Sequence, residues 1–341
     1  MQSHAITAIS RLALASGLIA ILLFAAKAHG QEASQNDQDL PTFRSEVNVV
    51  NIFFNVKDKK GLLIPDLKKE DFTVLEDGKP QPIKYFSAES DQPLTLGILI
   101  DSSGSQDRVL EYEKEVGAAF LRNVIKPKDV AFVISFDVSV DLLQDFTSSP
   151  NDLARALNRA KVNTGGGGGS LPGLGGGPFP TSRNPRGTLL YDAIYLAAHD
   201  KLATEVGRKA MIILTDGEDQ GSQLNIRDSI EAAQKADAIC YVILIADSGF
   251  MYQGFGEKDM KKLAEQTGGR VIEASNKPEK LRQAFDQIAN ELRSQYNIGY
   301  TPTNTKLDGT FRKIEIQVNN KKDYRVQARK GYYAIGSAPA D

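Results

Sequence analysis

Leu94-Thr95-Leu96-Gly97-Ile98-Leu99-Ile100 runs directly into Asp101-Ser102-Ser103-Gly104-Ser105. The first seven residues are almost continuously apolar, which is typical of a strand buried on both faces of a sheet. The polar side chains that follow therefore lie where the strand ends, and open parallel sheets bind ligands at that end. Alternate residues of an extended segment point the same way, so Asp101, Ser103 and Ser105 can converge. Three converging hard oxygen atoms predict a site for a hard cation such as Mg²⁺.

Predicted strands and helices alternate from this stretch to residue 295. Buried-strand patterns recur at 130–136, 210–214, 238–246 and 270–273, and a short segment at 140–146 predicts an antiparallel edge. The first helix is predicted from apolar residues at helical spacing, namely Val109, Tyr112, Val116, Ala119 and Phe120. Further helices are predicted at 150–162, 189–204, 226–236, 258–267 and 278–294. This alternation predicts an α/β fold, a doubly wound, Rossmann-like domain with a mostly parallel sheet over residues 91–295.

The segments on either side of this domain, 43–90 and 296–335, have the alternating pattern of half-buried strands instead. In the first segment, Val50, Ile52, Phe54 and Val56 alternate with Asn51, Phe53 and Asn55. In the second, two alternating runs around a turn at 319–323 predict a hairpin. Neither segment is long enough to be stable alone. We therefore expect the two to pack together as a small β-sandwich-like unit, with the α/β domain inserted between them and a short tail at 336–341.

The first 28 residues have the composition of a secretory signal peptide. A basic start precedes the apolar run 12–26, and Ala26-Lys27-Ala28 offers a small-x-small cleavage site, with Gly30 ending an alternative site. An uncleaved N-terminal anchor is the other interpretation. Residues 29–42 are predicted to be a flexible leader. We expect a secreted or periplasmic protein with no stable membrane span after cleavage.

Composition argues against several classes of partner. A net charge of −2 and a pI near 6.0 give no general attraction to nucleic acid. Cys240 is the single cysteine, so an exported chain has no intramolecular disulfide and depends on its core. The glycine-rich segment 163–187 lacks the Lys-Ser/Thr ending of a phosphate-binding loop, which disfavours nucleotide binding. That segment is predicted to be a loop.

Two further motifs are predicted at the same edge of the sheet. Thr188 lies in Gly-Thr-Leu-Leu-Tyr-Asp at the start of a helix, and Asp216 lies in Leu-Thr-Asp-Gly-Glu-Asp after a strand. With the Asp-x-Ser-x-Ser motif they resemble the metal-ion-dependent adhesion site of von Willebrand factor A domains. The flanking segments 68–78 and 311–333 also resemble a secreted bacterial group with such domains, found notably in acidobacteria.

This resemblance implies a binding role for the chain. The implied metal ligands are Asp101, Ser103, Ser105, Thr188 and Asp216, with the two carboxylates acting partly through water. Mg²⁺ is the implied cation, with Mn²⁺ or Ca²⁺ as alternatives. An ion held mainly by neutral hydroxyls keeps most of its charge and an open position, so it attracts a Glu or Asp carboxylate from a protein partner. The glycine-rich insertion lengthens the loop before Thr188.

Two other functions remain open from the sequence. One is an envelope structural or assembly protein with a vestigial metal site. The other is a hydrolase that uses metal-bound water, with Glu218 as the base. We expect no enzyme, because no His or Cys accompanies Ser103 and His199 lies within a predicted helix. Glu218 and Asp219 are expected to be solvated loop charges rather than ligands. Asp192 is expected to be a charge in the first turn of its helix rather than a ligand.

Overall fold

The computed structural model describes residues 49–88, 92–162, 187–245, 255–274 and 277–335. The predicted signal peptide, leader and C-terminal tail lie outside these ranges, as does the glycine-rich loop except for Gly187. Within the described ranges, no helix has both the length and the apolar character needed to cross a bilayer.

Strands and helices are numbered separately in chain order. The strands are β1 (Val50–Lys57), β2 (Phe72–Glu76), β3 (Lys79–Gln81), β4 (Ile83–Ser87), β5 (Leu94–Asp101), β6 (Val130–Phe136), β7 (Val140–Thr147), β8 (Arg208–Thr215), β9 (Ala238–Leu244), β10 (Val271–Glu273), β11 (Tyr296–Tyr300), β12 (Phe311–Val318), β13 (Arg325–Gln327) and β14 (Gly331–Tyr333). The α-helices are α1 (Leu110–Val124), α2 (Pro150–Arg159), α3 (Leu190–Leu196), α4 (Ile226–Lys235), α5 (Phe255–Thr267) and α6 (Pro278–Arg293).

A six-stranded sheet forms the centre of the α/β domain, in the order β10-β9-β8-β5-β6-β7. All neighbouring strands are parallel except β7, which runs antiparallel to β6 at the edge. The predicted doubly wound fold, with its mostly parallel sheet, is confirmed. The central strands are buried throughout, which explains why their sequences are continuously apolar.

Each face of this sheet is covered by three helices. Ile98 and Ile100 of β5 point into the core beneath α1, α2 and α6, while Leu99 between them points into the core beneath α3, α4 and α5. The alternation along one strand therefore supplies both hydrophobic cores. It also leaves the ends of the strands as the places where polar side chains can gather.

The strands outside the α/β domain form a β-sandwich from both ends of the described chain. One sheet has the order β13-β1-β11-β4 and the other β14-β12-β2-β3. β1 pairs antiparallel with β11, and β2 with β12, so segments more than 200 residues apart are joined. Their shared core includes Ile52, Phe54, Val74, Tyr296 and Ile316. The predicted sandwich-like unit, with the α/β domain inserted in it, is confirmed as part of the fold class.

The predicted C-terminal hairpin is wrong in its pairing. β12 pairs with β2 and β14, whereas β13 pairs with β1 in the opposite sheet. The chain does turn at Asn320, whose φ is +58°. After this turn it crosses to the other layer, so Ile316 and Val326 reach the same core from two sheets. Alternation and turn chemistry predict the strands but not the sheet that each one joins.

Several predicted helices differ from the structure in detail. The first helix buries Glu113 and exposes Tyr112 and Ala119, both of which were assigned to its apolar face. The helix predicted at 189–204 is α3 followed by a π-helical stretch at Ala197–Leu202. The helix predicted at 150–162 ends earlier, at Arg159, because Ala160 leaves the helical conformation with a ψ of 130°. These shifts leave the order of elements unchanged.

Candidate metal centre

The order of the strands reverses between β5 and β8. From β5 the chain continues to β6 and β7 on one side, and then returns to β8 on the other side of β5. In open α/β sheets this switch point is where ligands bind, at the carboxyl ends of the strands. Asp101 is the last residue of β5 and Thr215 the last residue of β8. We call the loop that carries Asp101, Ser103 and Ser105 the first loop, the segment that carries Thr188 the second loop, and the loop that carries Asp216 the third loop. The first and third loops therefore leave the sheet side by side.

Asp101 is fully buried and holds both of these loops. Its Oδ1 accepts a hydrogen bond from the Ser103 amide at 2.9 Å, and its Oδ2 accepts one from Thr215 Oγ1 at 2.8 Å. The Ser103 and Ser105 hydroxyls lie together, with their Oγ atoms 3.0 Å apart. Ser103 is buried and Ser105 is exposed, so this pair opens toward solvent. The convergence expected from alternate residues is present in the first loop.

Asp216 is tied to the first loop through Gln106. The Gln106 amide nitrogen donates to Ser105 Oγ at 3.2 Å and to Asp216 Oδ2 at 3.1 Å. The other oxygen of Asp216 accepts from the Glu218 amide at 3.0 Å. Gly217, with a φ of +88°, allows the chain to turn directly after Asp216. Four of the five predicted ligands, Asp101, Ser103, Ser105 and Asp216, thus belong to one hydrogen-bonded cluster.

Thr188, the fifth predicted ligand, is buried and joins the third loop through its main chain. Its carbonyl oxygen accepts from the Gln220 amide at 3.0 Å, and the next residue, Leu189, donates to the Asp137 carbonyl at 2.8 Å. Thr188 is therefore held between the β6–β7 turn and the loop after β8. The structure gives no hydrogen bond that links its hydroxyl to the cluster formed by the other four predicted ligands.

Side chains on both sides fix the second loop against the third. Asp192 accepts from the amides of Gln223 and Leu224, each at 3.0 Å. Asp219 accepts from the Tyr191 amide at 3.1 Å and from Ser222 Oγ at 2.6 Å. The expectation for Asp219 is wrong, because it joins two loops rather than lying free in solvent. Asp192 does lie in the first turn of α3, and Glu218 is exposed as expected.

The electrostatics of this cluster are unfavourable for the chain alone. Burial and the nearby charge of Asp216 raise the pKa of Asp101 to about 7. Burial, followed by the charges of Asp101 and Asp216, raises the pKa of Glu113 well above its usual value. Glu113 is 0% exposed, and neither of its carboxylate oxygens has a hydrogen-bond partner among the described residues. A positive ion nearby would relieve this concentration of negative charge.

The donor set fits a hard divalent cation. It consists of carboxylate and hydroxyl oxygens, the ligands that Mg²⁺ prefers. No group of three or more His, Cys, Asp or Glu side chains with a metal-binding arrangement occurs in the described ranges. The fit therefore depends on the hydroxyls of Ser103, Ser105 and Thr188 as much as on the acids. The buried, unpartnered oxygens of Glu113 beside the cluster agree with a site that favours positive charge.

Sequence reasoning did not find three residues of this cluster. Gln106 directly follows the first motif, Thr215 directly precedes Asp216, and Glu113 lies on the buried face of α1. The available indication for Glu113 was its position three residues after Leu110 and three before Val116, both buried. Counting only apolar residues along the helix overlooked a carboxylate at a core position.

The strand order and the three motifs at the switch point agree with the resemblance drawn from the sequence. The α/β domain therefore has the doubly wound architecture that this resemblance implies. No protein-family model matches the chain, and no curated protein matches it. Similarity is found among solved structures, where the alignments cover about three fifths of the chain.

Three of these structures illustrate the similarity. BatB, a conserved hypothetical protein from Bacteroides thetaiotaomicron, is 18% identical, with a TM-score of 0.43 over 59% of this chain and 100% of its own. The vWF domain of the type V pili tip protein Mfa5 from Porphyromonas gingivalis is 13% identical, with a TM-score of 0.44 over 58% and 94%. Proximal thread matrix protein 1 from the mussel byssus, with a zinc-occupied MIDAS motif, is 15% identical, with a TM-score of 0.45 over 62% and 48%. At such identities the function of a neighbour does not carry over.

Proposed function

We propose that the switch point of the sheet binds Mg²⁺, or Mn²⁺ or Ca²⁺ in its place. The observation that carries this proposal is the 3.0 Å approach of the Ser103 and Ser105 hydroxyls beside the buried carboxylate of Asp101. The hydroxyls of Ser103, Ser105 and Thr188 would contact the ion directly. Asp101 and Asp216 would supply negative charge, partly through water.

Thermal melting with and without Mg²⁺ tests the cation site. A ligand at 100 times its Kd stabilises a fold by about 2.7 kcal/mol, which raises the melting temperature by several degrees. We expect this rise in the native protein and in the control Asp200→Ala, whose side chain is exposed in the π-helical stretch Ala197–Leu202. Asp101→Ala and the milder Ser105→Ala should lose it. If the melting temperature of the native protein does not change with Mg²⁺, Mn²⁺ or Ca²⁺, the result contradicts the proposal.

The second part of the proposed function is capture of a protein partner through the bound ion. A cation held largely by neutral hydroxyls stays electron-poor and exchanges water readily, so it favours a Glu or Asp carboxylate from outside. Ser105 is exposed and Asp216 half-buried, which leaves an approach from solvent. The module would then be a divalent-cation-dependent, adhesion-type binding protein.

Water-proton relaxation with Mn²⁺ tests this capture with a defined probe. A short peptide with one Glu should displace a Mn²⁺-bound water and lower the relaxation enhancement, whereas the matched Gln peptide should not. An equal response to both peptides would exclude a carboxylate-specific open position. If a partner from the native envelope is still captured in the presence of chelator, that result would also contradict capture through the metal ion.

Binding rather than catalysis is proposed for this site. His199, the histidine within the described ranges, is exposed and pairs with Asp200, away from the sheet edge. Cys240 is buried in β9, and burial raises the pKa of its thiol to about 12, so it is a poor nucleophile. Cation-dependent turnover on ester, peptide or phosphate substrates would contradict this part of the proposal.

We also propose that the protein is secreted or periplasmic, on the basis of the apolar run 12–26 and the cleavage pattern that ends at Ala28. Mass spectrometry of the protein from native cells tests this. A mature N-terminus at His29 or Gln31 in the secreted or periplasmic fraction is expected. A chain that retains its first 28 residues would favour an uncleaved anchor instead.

One observation favours the alternative of an envelope structural protein with a vestigial metal site. The Gln106 amide already donates to Ser105 and Asp216, so the chain itself satisfies two of the predicted ligands. In that case the β-sandwich would be the working surface. Partner binding that survives both chelator and Asp101→Ala would favour this alternative.

A further inference from the structure

Gln106 has an unusual position for a long polar side chain. It is 1% exposed and directly follows Ser105. Both residues belong to a 3-10 helix of one turn, Gly104–Gln106, which leads to α1. Its main chain is held on both sides, because its amide donates to the Ser103 carbonyl and its carbonyl accepts from Val109, each at 3.0 Å. The backbone is thus fixed, and movement of Gln106 is limited to its side-chain torsions.

The amide nitrogen of Gln106 lies where it satisfies two predicted ligands from different loops. It donates to Ser105 Oγ at 3.2 Å and to Asp216 Oδ2 at 3.1 Å. An amide nitrogen can only donate, and its protons carry partial positive charge. It therefore supplies the two oxygens with a weak substitute for a cation. The same protons would repel a cation that came to those oxygens.

The amide oxygen of Gln106, unlike its nitrogen, is not satisfied by a hydrogen bond. This Oε1 is buried and has no hydrogen-bond partner in the described part of the chain. A buried acceptor without a partner is destabilising. Rotation of the terminal torsion by about half a turn exchanges the positions of nitrogen and oxygen. The present rotamer of Gln106 is therefore held mainly by its hydrogen bonds to Ser105 and Asp216. Once another positive group binds those two oxygens, a different rotamer becomes more favourable.

We propose that Gln106 is an internal competitor for the cation at this site. Its amide nitrogen donates to Ser105 and Asp216, and a cation that binds these oxygens has to break both hydrogen bonds. Gln106 thereby lowers the affinity of the site and sets the cation concentration at which the protein becomes able to bind its partner. This inference rests on the proposed cation site and adds its regulation.

Calorimetric titration with Mn²⁺ tests the competitor role, using Gln106→Met. Methionine has a similar length and no donor, so it removes the competing hydrogen bonds while filling the same space. We expect the Kd for Mn²⁺ to fall by about tenfold, which corresponds to ~1.4 kcal/mol. The matched control is Gln144→Met on β7, where the amide donates to the Asp145 carbonyl and not to the site. Its Kd should equal that of the native protein.

The outcomes separate this inference from the function on which it rests. A tighter Kd in Gln106→Met, or binding by that variant alone, supports competition. A Kd that is unchanged or larger overturns the competitor role and leaves the cation site standing. If neither folded protein binds Mn²⁺, Mg²⁺ or Ca²⁺, the cation site itself fails, and the role of Gln106 with it.

Side-chain amide NMR of the native protein gives a second test that needs no variant to fold well. The Gln106 amide protons should shift when Mg²⁺ is added, because they lose their bonds to Ser105 and Asp216. The Gln144 amide protons should stay in place. Bound Mg²⁺ without a change in the Gln106 signals would overturn the proposal.

Discussion

Glu76 in the β-sandwich and Glu113 in the α/β domain are both buried carboxylates, yet their surroundings differ. Glu76 accepts hydrogen bonds from the hydroxyls of Tyr300 at 2.7 Å and Tyr332 at 3.0 Å, and Arg312 lies 3.5 Å from it. Glu113 has no hydrogen-bond partner for either oxygen in the described ranges, and its charged neighbours Asp101 and Asp216 repel it. Buried acids are normally satisfied by their own chain. The difference marks the sheet edge as a place that needs a positive group from outside.

A third acid shows that the satisfied arrangement is not peculiar to the sandwich. Glu291 of α6 is almost fully buried where the α/β domain meets the sandwich. It pairs with Lys57 at 2.9 Å and Arg270 at 2.7 Å, and accepts from Gln327 at 3.1 Å. The fold therefore supplies cations and donors to buried acids at structural positions. At Glu113 the described residues supply no hydrogen-bond donor, and the attraction of Lys114 is smaller than the effects of burial and of the charges of Asp101 and Asp216. This agrees with a binding function for the edge at β5 and β8.

Arg312→Met should produce the largest effect, because it leaves the buried Glu76 carboxylate without its cation, although the Tyr300 and Tyr332 hydroxyls still donate to it. Removing one member of a buried ion pair costs about 3–5 kcal/mol, since the remaining charge is left without compensation. Urea denaturation measures this loss in the free energy of unfolding. The adjacent, exposed Lys313→Met is the control and should stay within about 0.5 kcal/mol of the native protein. Equal losses in the two variants would show that Glu76 does not depend on Arg312.

Tyr300→Phe should weaken the same cluster less. It removes one hydrogen bond to the Glu76 carboxylate and leaves Tyr332 and Arg312 in place. A hydrogen bond to a charged group contributes about 1.5–3 kcal/mol, and chemical denaturation should show a loss in that range. A loss as large as that of Arg312→Met would mean that the tyrosine, not the arginine, holds the carboxylate.

In chelator, Glu113→Met should stabilise the protein, whereas the two preceding substitutions destabilise it. It removes two buried oxygens without partners, so the free energy of unfolding should rise by about 1–3 kcal/mol. Glu115→Met, on the exposed side of α1, serves as the control and should change little. Mg²⁺ should then raise the melting temperature of Glu113→Met less than that of the native protein, because one negative charge near the ion is gone. Destabilisation in chelator would reveal a favourable role for Glu113 in the cation-free fold.

Ser105→Ala should have the smallest effect on the fold itself. Ser105 is exposed, so its loss in chelator should change the free energy of unfolding by less than about 0.5 kcal/mol. The rise in melting temperature with Mg²⁺ should nevertheless disappear, since one of the few direct ligands is missing. A variant that keeps this rise would remove Ser105 from the ligand set.

The sequence predicts the α/β sheet well because its strands are buried on both faces. β5, β6 and β9 are nearly continuous apolar runs, and each lies at or close to its predicted bounds. The pairing of β12 and β13 could not be predicted in the same way. Alternation shows which face of a strand is buried. Strands of both sheets in a sandwich bury one face against the shared core, so this pattern does not tell which sheet a strand joins.

The candidate site was predictable as a set of motifs but not as an electrostatic environment. Asp101, Ser103 and Asp216 come together because parallel strands end at one edge, whereas Ser105 is brought to Ser103 by the 3-10 turn Gly104–Gln106 rather than by strand alternation. The position of the Gln106 amide depends on a single side-chain rotamer, for which the sequence has no periodic pattern. Its contact with Asp216, 110 residues further along the chain, arises only from tertiary structure.

Crystals grown with Mn²⁺ give the most direct test of the central claim, since the anomalous signal of Mn²⁺ locates the ion without reference to function. The account predicts an anomalous peak between β5 and β8, with the hydroxyl oxygens of Ser103, Ser105 and Thr188 within about 2.0–2.3 Å of it. It also predicts that the Gln106 amide nitrogen has moved away from Ser105 and Asp216. An edge without a peak at saturating Mn²⁺, with the Gln106 amide still in its present position, would contradict the account.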